Sequence, residues 1–118
     1  MKQFVKIIPV DVYKRGVCVF FGTREQLKMF LKKEDIQIED DLDGFLGKSD
    51  AIILRTLTDA LIFSERKITE GTLIHEISHA AKHILRCCDV EDEEAECHLL
   101  EYLCNEILPW ARATSFLV

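Results

Sequence analysis

The run His75-Glu76-Ile77-Ser78-His79 places two imidazoles four positions apart, with a carboxylate next to the first of them. On an α-helix, residues at this spacing lie on one face about 5–6 Å apart, so both rings can reach one metal ion. Few other folded conformations bring His75 and His79 together in this way. The H-E-x-x-H spacing therefore predicts a helix through this part of the chain.

The residues around the motif have the pattern of a helix with one buried side. Wound at about 100° per residue, residues 72–86 separate into an apolar arc facing the core and a second side carrying the histidines. Glu76 lies beside His75 and His79, and Thr69 is the predicted N-cap. The predicted core-facing residues are Leu73, Ile74, Ile77, Ala80, Ala81, Ile84 and Leu85.

Two imidazoles and a neighbouring carboxylate are the minimal parts of a catalytic zinc site. Zinc accepts histidine nitrogens at about 2.0–2.1 Å, and a catalytic site adds a third protein ligand and an open position for water. We therefore predict His75 and His79 as zinc ligands. We predict Glu76 as the catalytic residue, the general base that takes a proton from the coordinated water.

We expect the third zinc ligand to come from the last predicted helix, residues 93–108. Glu94 is the first choice, because a helix folding back antiparallel would bring its carboxylate to the imidazoles. Glu96 is the alternative, since it falls within an apolar arc and a carboxylate there needs a partner. His83 and His98 are expected near the site, where they or Tyr102 could donate to the oxyanion.

The rest of the chain predicts an α+β fold, a small antiparallel or mixed sheet of about four strands packed with three helices, minimal and zincin-like. We expect residues 1–118 to form a single domain, with an acidic loop over residues 34–50. The predicted strands are residues 4–13, 17–21, 51–57 and 61–64, and the predicted helices are residues 24–33, 69–86 and 93–108, the last ended by Pro109.

Composition excludes several other classes of function. The formal net charge is −6 and the basic residues are scattered, which disfavours nucleic-acid binding. The N-terminal residues do not have the pattern of a signal peptide, and no apolar run is long enough to span a bilayer, so we expect no membrane association. Five cysteines, two of them adjacent, fit reduced thiols and predict a cytoplasmic protein. The sequence does not predict an oligomeric state.

The chain also resembles known families in its second half. Residues 72–80 and 92–95 match runs in the small H-E-x-x-H proteins encoded by bacteriophages and prophages, and this resemblance implies Glu94 as the third zinc ligand. The spacing of His75, His79 and His83 is also similar to H-E-x-x-H-x-x-x-H in the metallopeptidases that cleave repressors of mobile elements. Both families imply a gluzincin-like zinc peptidase, although residues 1–118 match neither the helix-turn-helix partner domain of the second family nor its phenylalanine-alanine pair.

Together these observations predict a zinc-dependent metallopeptidase acting on a peptide or protein substrate. The alternative is a zinc-binding module without catalytic activity, such as a phage accessory protein that binds a host factor. That alternative would need a fourth protein ligand, for example Glu96 or His98, in place of the water.

Overall fold

Four strands form a mixed sheet in the computed structural model, which describes residues 2–39, 51–56 and 58–118. The strands are β1 (Phe4–Val10), β2 (Arg15–Phe21), β3 (Ala51–Arg55) and β4 (Ala60–Ser64). Their order across the sheet is β1-β2-β4-β3. The two outer pairs are antiparallel and the central pair, β2 with β4, is parallel. β1 and β3 therefore lie at opposite sides of the described sheet.

Helices cover both faces of this sheet. They are α1 (Arg24–Lys33), α2 (Glu70–Cys87) and α3 (Glu93–Ala113). Leu27 and Leu31 of α1 pack on one face, whereas α2 and α3 pack side by side on the other. The chain can bury both faces because the side chains of a strand alternate between them. The predicted α+β class, with about four strands and three helices, is confirmed.

Side-chain caps fix where the helices begin. Thr23 and Gln26 form a reciprocal capping box at α1, with nitrogen-to-oxygen distances of 2.8 and 3.1 Å. The Thr69 hydroxyl accepts a hydrogen bond from Thr72 N at α2, and Asp92 accepts one from Glu94 N at α3. Each cap satisfies a backbone N–H that has no partner within its helix, so the predicted starts at Thr23 and Thr69 are confirmed.

Two ion pairs show that α2 and α3 run antiparallel. Arg112 near the end of α3 pairs with Glu70 at the start of α2. At the other end, Lys82 Nζ lies 3.0 Å from Glu96 Oε1. The two helices therefore lie side by side along their length, as expected from the short connection between them.

Some predicted boundaries are wrong. Strand β1 ends at Val10 because the chain reverses there to pair Val10 with Arg15 of β2. The connection is a 3₁₀ turn over Asp11–Tyr13 followed by Lys14, whose φ of 53° is left-handed. Pro109 does not end α3, which continues to Ala113. The acidic loop is described only over residues 34–39, which form no helix or strand, and its remainder lies outside the described residues. The same holds for Leu57, at the end of a predicted strand.

No helix among the described residues is long and apolar enough to cross a membrane.

Candidate metal centre

Helix α2 is fixed by a continuous buried side. Leu73, Ile77 and Ile84 are completely buried against the sheet and α3. Ile74, predicted to face the core, is instead 37% exposed, because it lies at the margin of the apolar arc. His75 and His79 project from the opposite side, where both are exposed. The helix thus presents two imidazoles to solvent from a rigid, anchored backbone, as a preorganised site requires.

The two imidazoles converge. Their Nε2 atoms lie 3.1 Å apart, and the ring centroids are separated by 4.7 Å with the planes nearly perpendicular. Two nitrogens that share a tetrahedral zinc at about 2.0–2.1 Å lie about 3.3 Å from each other. The observed separation also suits a hydrogen bond between a protonated and an unprotonated nitrogen. The pair therefore needs little rearrangement to chelate a zinc ion through both Nε2 atoms.

The charges around His79 favour the form of the ring that can bind a metal. Desolvation lowers the pKa of His79, and the nearby His75, Lys82 and Arg55 lower it further. A neutral imidazole has a free nitrogen lone pair, whereas the protonated ring cannot coordinate. His79 is thus poised in its metal-binding form at neutral pH.

Glu76 lies beside the histidine pair and is largely shielded from solvent. The residue is only 8% exposed, and the described residues give its carboxylate no hydrogen bond. Burial raises the pKa of Glu76, and the nearby His75 partly offsets that effect. The carboxylate is therefore largely shielded from solvent beside the histidine pair.

The side of α2 that carries this pair lies towards the β3 side of the sheet. One turn beyond His79, His83 Nε2 donates to the Thr56 carbonyl at 3.2 Å, just after β3 ends. The Cys87 sulfur lies 3.6 Å from the same nitrogen, and burial raises the pKa of this thiol. His83 therefore anchors the helix to the end of β3 and has no ring nitrogen directed at the histidine pair.

Glu94 lies on the other side of α2. Its Oε1 is 3.4 Å from His98 Nε2, and the two side chains are 79% and 74% exposed. They line a groove of about 600 Å³ with Tyr102, whose hydroxyl donates to the Pro9 carbonyl of β1. Since β1 and β3 are at opposite sides of the sheet, the structure does not bring Glu94, His98 or Tyr102 to the histidine pair.

Glu96, the alternative ligand, faces α2. Its ion pair with Lys82 provides the partner that the sequence pattern demanded of a carboxylate in an apolar arc. Lys82 is one turn from His79, so Glu96 approaches the motif more closely along α2 than Glu94 does. Its carboxylate is engaged by Lys82 and not by an imidazole.

Among the described residues, the structure therefore brings together His75, His79 and Glu76 without a third ligand. Within residues 2–39, 51–56 and 58–118, no group of three or more histidine, cysteine, aspartate or glutamate side chains could hold a metal ion. Sequence reasoning did not place Lys82 and Arg55 beside His79. The helical spacing could have located Lys82, whereas the position of Arg55 depends on how β3 packs against α2.

Comparisons with protein-family models, curated proteins and solved structures find no match for this chain. Any assignment of function consequently depends on the chemistry of the site itself.

Proposed function

We propose that the protein is a zinc-dependent metallopeptidase that hydrolyses peptide bonds in a peptide or protein substrate. One observation carries the proposal: the Nε2 atoms of His75 and His79 lie 3.1 Å apart, close to the spacing of two zinc ligands, with Glu76 sheltered beside them. The donor set fits zinc, because imidazole nitrogens are among its preferred ligands and a neutral ring is available at His79. The described residues leave the remaining coordination positions open.

The residues divide the chemistry between them. His75 and His79 would hold the ion through Nε2. When bound, zinc polarises the scissile carbonyl and lowers the pKa of a coordinated water. The Glu76 carboxylate would accept the proton of that water as it attacks the carbonyl carbon, and then deliver this proton to the departing amine. Its partial shelter from solvent strengthens the electrostatic interactions on which both transfers depend.

The position of β3 supports a peptide as the substrate. β3 has one strand neighbour, β4, in the described part of the sheet, and α2 packs against it. At its end, the Arg55 carbonyl accepts a hydrogen bond from Glu39 N. An extended peptide that reaches the end of β3 would lie next to the side of α2 that carries the histidines.

The test compares wild type with Glu76→Gln, using Glu101→Gln as the control. Glu101 is an exposed glutamate on α3. Its substitution by glutamine removes one negative charge, as Glu76→Gln does, but at a position away from the site. Zinc content is measured by elemental analysis. Cleavage activity is measured with a diverse peptide library. We expect all three proteins to bind zinc, and cleavage by Glu76→Gln to fall by about 10²–10⁴-fold.

Each other outcome has a defined meaning. Equal cleavage by Glu76→Gln and Glu101→Gln would remove Glu76 from the mechanism. Zinc binding without cleavage of any library peptide would favour the non-catalytic zinc-binding module. Absence of zinc after purification in its presence would reject both zinc-dependent functions.

A further inference from the structure

The His75–His79 pair would supply two of the four ligands of a tetrahedral zinc ion. Both imidazoles are exposed on the outer side of α2, with their Nε2 atoms 3.1 Å apart. Across the described residues no third ligand reaches them, and the predicted candidate Glu94 lies on the β1 side. Zinc in proteins takes four ligands in structural sites, so two imidazoles on an open surface leave half of the coordination shell to be supplied.

Symmetry allows a second copy of the chain to supply the missing half. Two nitrogens from one chain form one edge of the coordination tetrahedron. A twofold axis through the zinc relates that edge to the opposite one, which would hold the same two nitrogens of the other chain. A symmetric dimer of this kind is the commonest form of protein oligomer. The observed Nε2 separation is close to the edge length of about 3.3 Å that such a tetrahedron requires.

We infer that two copies of the chain bind one zinc ion between them, each through His75 and His79. This inference rests on the proposed function only in requiring zinc at these two residues. It adds a second state of the same two residues, in which four imidazoles leave no coordination position for water.

Geometry makes this association dependent on the metal. Opposite edges of a tetrahedron are perpendicular, and each His75–His79 edge is carried by its own α2, so the two helices would cross steeply and share little surface. Each chain also carries a formal charge of −6, which opposes association. Near the metal, the Glu96 carboxylate offsets the charge of Lys82 at 3.0 Å. The zinc–nitrogen bonds would therefore supply most of the free energy of association.

Titration of the full chain with zinc tests the inference. Protein first freed of metal with a chelator receives zinc in steps below one equivalent, and its mass is followed by light scattering after size-exclusion chromatography. We expect conversion from one chain to two, complete at one zinc per two chains and reversed by the chelator.

Variants identify the residues responsible. His75→Ala and His79→Ala should stay monomeric at every zinc concentration, whereas His98→Ala, which removes an exposed histidine on α3, should dimerise like wild type. Circular dichroism checks that each variant is folded.

Three results would overturn the inference. A monomer with one zinc per chain would reject it and leave the proposed function standing. A dimer that persists with chelator, or in His75→Ala, would show that other contacts join the chains. Failure to bind zinc at all would reject this inference and the proposed function together.

Discussion

Helices α2 and α3 each carry a polar pair at a spacing of four residues, but the two pairs have different surroundings. On α2, His75 and His79 converge to 3.1 Å and stand beside the nearly buried Glu76. On α3, Glu94 and His98 lie 3.4 Å apart, and more than 70% of each side chain is exposed. The first pair lies towards β3 and the second towards β1.

The difference shows that helical spacing alone does not determine where ligands meet. Spacing places side chains on a common side of one helix. Whether the corresponding sides of two helices face each other depends on how both helices pack on the sheet. In this molecule the sheet order β1-β2-β4-β3 separates the two pairs, because Tyr102 ties α3 to β1 and His83 ties α2 to the end of β3.

The largest expected effect is loss of zinc from the α2 pair. His79→Ala removes one of the two converging ligands. Loss of a residue that only hydrogen-bonds a metal ligand typically lowers metal affinity by about 10–100-fold. We expect His79→Ala to lower zinc affinity by more than this. Affinity is measured by competition with a chromophoric chelator. His98→Ala should bind zinc like wild type, and an equal loss in both variants would mean that the two helices share one site.

The buried side of α2 should dominate its stability. Ile77 is fully buried, so Ile77→Ala should lower the free energy of unfolding by about 2–5 kcal/mol. Ile74→Ala makes the same chemical change on the same helix at a residue that is 37% exposed, and should cost far less. Denaturation with urea measures both. Similar losses would show that Ile74 is packed in solution as the sequence pattern predicted.

The caps of the two helices should make smaller and comparable contributions. Thr69→Ala removes the hydroxyl that accepts from Thr72 N, and Asp92→Ala removes the carboxylate that accepts from Glu94 N. Each substitution should lower the free energy of unfolding by about 0.5–2 kcal/mol. Thermal unfolding of the metal-free variants measures the change. An unchanged stability of Thr69→Ala would mean that the start of α2 is held by other contacts.

The smallest expected effect is at Glu94. The described arrangement keeps this carboxylate away from the histidine pair, so Glu94→Gln should leave zinc affinity unchanged. The zinc affinity of Glu96→Gln is measured in parallel. An exposed ion pair also adds little to stability. A loss of zinc affinity as large as that of His79→Ala would show that Glu94 does reach the ion, as the sequence resemblance implies.

Much of the fold is predictable because it depends on local patterns. The alternation of apolar residues predicts four strands, and the caps at Thr23 and Thr69 predict the starts of two helices; the four strands and both starts are confirmed, although β1 ends three residues early. The end of α3 is not predictable from Pro109. This residue removes one hydrogen bond, but the buried Ile107 and Ala111 on either side of it keep the helix packed.

The candidate site divides in the same way. The convergence of His75 and His79 follows from helical geometry and is observed. The surroundings of His79 do not follow from it, because Arg55 comes from a strand distant in sequence and its approach depends on tertiary packing. The zinc ion, the third ligand and the peptidase activity stay predictions that the experiments above test.

The parallel pairing of β2 with β4 has a consequence for how the chain acquires its structure. Gly16 N, at the start of β2, donates a hydrogen bond to Asp59 Oδ1, 43 positions later. Antiparallel hairpins such as β1–β2 and β3–β4 close over short loops and form rapidly, whereas joining them requires closure of a much longer loop. We expect two early hairpins and a slower step that docks them, and only that step creates the surface on which α2 can present its histidines.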